Sequence, residues 1–118
     1  MKITRLLLVL SSLIISSCVV HDINYVKAAN MQDAGDDAGA FKNYYSVAQS
    51  DSYPEAQFAV GDAYLEGKGA TQNTDKAIYW FKRVLTSKSK TWKSLAHAKL
   101  KDIYSGHYEF SYYDLLMP

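Results

Sequence analysis

The chain has 118 residues, 48% of them hydrophobic and 14% aromatic, with a formal net charge of +1. That length allows one small domain, and the near-neutral charge leaves no overall basic footprint for nucleic acid. A single cysteine excludes an internal disulfide and argues against a cysteine-based metal site. The composition is too apolar and aromatic for a chain disordered throughout.

Residues 1–17 read as a targeting segment. Lys2 and Arg5 make a short positive region, residues 6–15 an apolar run, and Ser16 and Ser17 a small pair. This is the layout of a secretory signal peptide, and the apolar run is short for a membrane-spanning helix. Its apolar residues fill every face, unlike the single stripe of a buried amphipathic helix. The only cysteine, Cys18, follows directly in the order Leu13-Ile14-Ile15-Ser16-Ser17-Cys18. These residues resemble the lipobox of bacterial lipoproteins: an aliphatic residue, two small residues, then Cys. Ser at the position before the cysteine is a second choice to Gly or Ala in that family. The resemblance implies cleavage before Cys18, lipidation of its thiol and acylation of the new amino group. Several acyl chains, each contributing about 0.8 kcal/mol per buried methylene, hold a protein stably on a membrane. Val19 rather than Asp at the next position implies the outer membrane. A buried or reactive free thiol is the alternative reading of Cys18.

After cleavage 101 residues remain, with 11 basic and 12 acidic side chains. Residues 18–31 show no clean periodicity and read as a lipidated tether to a domain spanning residues 32–107.

Residues 54–87 carry two helical patterns around a Gly-rich turn. In the first, Ala56, Ala59, Val60, Ala63 and Tyr64 share one face. Pro54 suits the first turn, behind Ser52 or Tyr53, and Gly67 and Gly69 end the helix. The second starts with Thr74 as expected cap and Asp75 in the first turn. There Ala77, Trp80, Phe81, Val84 and Leu85 form a wide apolar stripe. Gly61, mid-helix, costs about 1 kcal/mol against alanine, a cost repaid if another helix approaches closely. Tyr64 and Trp80 are expected to fill the space between the helices.

Ala56-Gln57-Phe58, Val60-Gly61, Tyr64, Gly67-Lys68-Gly69-Ala70 and Lys76-Ala77-Ile78-Tyr79-Trp80-Phe81 together resemble the Sel-one-like repeat, a relative of the tetratricopeptide repeat. The departures are Ala70 for Val, Asn73 for Asp, and Val84-Leu85 for two alanines, which enlarges a site of close helix approach. The resemblance implies an all-α fold, a short α/α solenoid of helical hairpins. Ala56, Gly61, Tyr64, Gly67, Gly69, Ala77, Trp80 and Phe81 are its packing signature.

Partial copies flank this unit. Ala40 to Ala48 resembles the second helix of a preceding repeat. Ala96, Leu100, Tyr104 and Gly106 resemble the first helix of a following one, with Lys101 in place of the packing glycine and Thr91 as expected cap. One full repeat between two half repeats gives about four helices, whereas repeat arrays usually need about three units for a continuous core. The aromatic segment 108–118, with Tyr108, Phe110, Tyr112 and Tyr113, therefore reads either as a C-terminal cap or as a tail for a partner.

No arrangement points to catalysis, a cofactor or a metal. His97 and His107 have no obvious third ligand. His97, Asp102 and Ser105 lack the strand-to-helix turn of a catalytic serine. Asp36 and Asp37 do not keep calcium-loop spacing, and Gly67-x-Gly69 lacks the rest of a phosphate loop. Charge is more informative. Residues 18–75 carry nine acidic and three basic side chains, residues 76–118 three acidic and eight basic. Either these are solvated helix faces, or Lys82, Arg83, Lys88, Lys90 and Lys93, with Trp92, form a basic concave surface for an acidic partner or anionic headgroups.

Both resemblances imply a non-enzymatic lipoprotein of the bacterial cell envelope, facing the periplasm, whose helical repeat scaffolds protein complexes. The expected partners are other envelope proteins or a second copy of the chain, not nucleic acid. A secreted or surface-exposed effector and a neutralising partner of a toxin or hydrolase are the alternatives.

Overall fold

Helix boundaries follow from short-range capping chemistry. The computed structural model describes residues 19–105, which are helical over residues 19–33 (α1), Asp37–Ala48 (α2), Pro54–Glu66 (α3), Thr74–Leu85 (α4) and Lys90–Ser105 (α5). Among the described residues there is no strand. Asp36 caps α2, its Oδ1 accepting from the Gly39 N–H at 2.9 Å. Pro54 opens α3 behind Tyr53, and Gly67, at φ +70°, closes it in the left-handed conformation. The Asn73 N–H donates to the Tyr64 carbonyl at 2.8 Å, which folds the α3–α4 turn back on the helix end.

Two caps differ from expectation by one or two residues. Asn73, not Thr74, caps α4: its extended backbone lets Oδ1 accept from the Lys76 N–H at 2.9 Å, and Thr74 is already helical. Ser89, not Thr91, precedes α5, where its carbonyl accepts from the Lys93 N–H at 3.1 Å.

The larger correction concerns the tether expected over residues 18–31. Its described part, from residue 19, is helical, with Ala28 completely buried and Tyr25 and Met31 packed on the core beside α2 and α3. Tyr25 meets Tyr44 edge to face at 5.6 Å, and the Tyr44 hydroxyl donates to Gln32 Oε1 at 3.2 Å. The upstream half repeat is thus a whole hairpin, α1 with α2, and the described residues hold five helices. The signal was weak because the buried face of α1 offers one small apolar residue and several amphipathic ones. Residues 1–18, with Cys18, and residues 106–118 lie outside the described residues.

The hydrophobic core has two parts. Ala28, Tyr44, Val47, Ala56, Val60 and Trp80 bring α1, α2 and α3 together with α4. Ala77, Phe81, Val84, Ala96 and Leu100 join α4 to α5. Tyr64 packs against both parts, so α3 is the central helix of the stack.

Candidate functional site

The residues of the packing signature lie on α3, on the α3–α4 turn and on α4. Ala56, Ala77 and Phe81 are fully buried, Trp80 is nearly so, and Tyr64 is half-buried. Gly61 faces the Phe81 ring, where a Cβ would stand 2.8 Å from Cε1. The close approach it permits is therefore that of a ring from α4. Gly69, at φ +75°, lies against the start of α2, and a Cβ there would run into the Asp37 carbonyl. The Gly-rich turn of the central hairpin thus also packs the preceding hairpin.

Gln57 is the one buried polar residue in the described core, at 1% exposure. Its Nε2 donates to the carbonyls of Ala48 and Ser50, both at 3.3 Å, and to Asp51 Oδ1 at 3.4 Å. It ties α3 to the end of α2 and the following turn. The sequence gives no sign of this role, because its partners, two backbone carbonyls and the Asp51 carboxylate, lie at another helix end.

Of the six residues expected to form a basic surface, Arg83 and Trp92 are engaged within the fold. Arg83 bridges hairpins: its guanidinium lies 2.7 Å from Asp51 Oδ1, donates to the Gln49 carbonyl at 3.2 Å, and stacks over the Trp80 ring at 5.0 Å. The hydrogen bond from Arg83, then its charge, holds the Asp51 carboxyl below its ordinary value. Trp92 turns to the other side, against Phe58 at 5.3 Å. Lys82 and Lys93 are half-buried, and Lys88 and Lys90 are exposed at the α4–α5 turn.

What the fold does build is a groove along α2 and α3, bounded by Tyr25 and Gln32 of α1 and Trp92 of α5. Aromatic rings line it: Phe41, Tyr44 and Phe58, with Phe58 meeting Trp92 at 5.3 Å. Asp37, Glu55, Asp62 and Glu66 line it, with Lys68. Asp62 Oδ1 is 2.7 Å from Lys99 Nζ, a close ion pair rather than an aligned hydrogen bond. Glu66 is 3.7 Å from Lys68. Burial raises the pKa values of Tyr25 and Tyr44, with Glu55 adding to the first, and Tyr25 and Asp33 to the second. Both phenols are therefore neutral hydrogen-bonding groups. The groove is acidic and aromatic.

Among the described residues, no three His, Cys, Asp or Glu side chains converge to hold a metal ion. No described helix is long and apolar enough to cross a membrane. No curated protein and no solved structure matches the chain. Residues 54–83 match the family model of the Sel1 repeat, so the α3–α4 hairpin is similar to a repeat that generally mediates protein–protein interaction.

Proposed function

We propose that the chain is a lipoprotein anchored at Cys18 whose helical repeat binds another protein of the bacterial cell envelope, without catalysing a reaction. The observation that carries the binding half is the Sel1 repeat match over residues 54–83, whose first helix forms part of the acidic, aromatic groove. The ordered signal ending in Cys18 supports the anchor, and Val19 after it supports the outer membrane, with the repeat facing the periplasm. Rings lining a groove supply large contact area at low entropic cost, and charged rims select the partner's sign. The groove favours a partner segment carrying Lys or Arg beside apolar residues.

Cross-linking the full chain in its own membranes and identifying what co-purifies tests this reading. A specific protein recovered with wild type and lost with Glu55→Lys/Glu66→Lys, the helical circular dichroism being unchanged, is the expected result. Recovery that is the same with both chains, or no specific recovery with either, refutes the groove as a binding site.

A further inference from the structure

The first helix carries two opposite faces. Ala28 and Tyr25 point into the core. Val19, Ile23 and Val26 fall on the other side, within a sector of about 60° at 100° per residue, with Val20 beside them. All four are exposed, by 48% (Val19), 51% (Val20), 57% (Ile23) and 57% (Val26). Four aliphatic side chains on the outer face of a helix are a contact surface rather than scattered exposure. The stripe is also graded along the helix: it occupies the N-terminal half, and Asn30 takes the same face further on. Asp22 and Lys27 flank it, and Lys27 can keep its ammonium in water while its stem lies on an apolar surface.

Position decides between a bilayer and another protein. Val19 directly follows Cys18, the residue proposed above to carry the acyl chains, and the reading rests on that anchor. A helix rises about 1.5 Å per residue, which puts Val26 only about 10 Å along α1 from Val19. The exposed valines and isoleucine are therefore confined to the two turns nearest Cys18, and beyond them Asn30 takes the same face with Met31 and Ala34 beside it. A face built for a second copy has no reason to fade with distance from Cys18.

We propose that the Val19–Val20–Ile23–Val26 face of α1 lies in the interfacial layer of the lipid bilayer, so that the repeat is held against the membrane in one orientation instead of swinging from a flexible lipidated tail. The groove is then presented at a fixed height and angle.

A membrane-partitioning aryl diazirine, photolysed with the full chain in its native membranes, tests this; label is mapped by mass spectrometry and palmitate is measured on the same samples. Label concentrated in residues 19–27 is expected in wild type. In Ile23→Asp/Val26→Asp it falls to the level of α5 while palmitate at Cys18 persists. Because both residues are exposed, the variant keeps its helical circular dichroism. Unlabelled residues 19–27 in wild type overturn the proposal, whether or not Cys18 carries lipid. Loss of palmitate with residues 19–27 still labelled overturns the acyl anchor alone and upholds the membrane face. Exchange protection of residues 19–27 without label, in a chain that sediments as a dimer, gives the face to a second copy and overturns the proposal.

Discussion

Gly61 and Phe81 show how a single residue type is dictated by a neighbour. Alanine at position 61 gains about 1 kcal/mol of helix propensity, but its methyl would stand 2.8 Å from a fully buried ring. Overpacking a filled core costs about 1–3 kcal/mol, and Phe81 has no exposed side to swing toward. Gly61→Ala is therefore expected to lower stability, by up to about 2 kcal/mol net, read as a drop in the urea midpoint at unchanged slope. Gln57→Leu removes the donor shared by the Ala48 and Ser50 carbonyls at similar volume. Its expected cost is about 1–3 kcal/mol, and exchange of the α2 C-terminal amides should rise with it. The Asp51–Arg83 contact gives a pH signature. Its folded carboxyl titrates below the ordinary value of 3.8, so its contribution is present above that value and lost as pH falls through the lower, folded one. The stability difference between wild type and Asp51→Asn should be visible at neutral pH and shrink as pH is taken below about 4. A difference that persists in acid would contradict that assignment.

At the scale of helices, what can be read directly depends on how each helix displays its buried face. The α3–α4 hairpin is legible because Ala56, Val60, Ala77, Phe81 and Val84 are apolar, periodic and all buried. Helices α2 and α5 are legible by likeness to the two halves of that hairpin. Helix α1 is not, because its aliphatic residues lie on its outer face and its fully buried residue is one alanine. A pattern search weighs Val19, Val20, Ile23 and Val26 and misses Ala28. The role of Arg83 is hidden for another reason: its partner Asp51 is 32 residues away, and a cation late in a helix looks the same whether solvated or paired. The groove's acidic stripe, by contrast, is legible, because Glu55, Asp62 and Glu66 recur at i, i+7 and i+11 on one face of α3; only the walls that α1, α2 and Trp92 add to it depend on the tertiary fold. If α1 belongs to the fold, Ala28→Asp should destabilise the chain by more than about 2 kcal/mol, because a carboxyl would be buried without a built partner. Ile23→Asp, on the exposed face, should stay within about 0.5 kcal/mol of wild type. Thermal unfolding of the two variants checks the contrast, and equal, small effects would return residues 19–31 to the status of a tether.

For the molecule as a whole, the apparent neutrality of the sequence resolves into distinct surfaces. Carboxylates of α2 and α3 line the groove, while lysines gather at the α4–α5 turn. The two parts of the core meet at α3, as expected for a repeat stack in which each unit leans on its neighbours. A lipid anchor next to α1 would tie one end of this stack to the membrane and leave the groove for a partner. The most direct test of that account is the intact mass of the protein extracted from its native membranes with detergent. The account predicts a chain that begins at Cys18, 101 residues long, and heavier than its sequence by a diacylglyceryl group and an amide-linked acyl chain. A mass that retains residues 1–17, or a chain that begins at Cys18 without lipid, would contradict it.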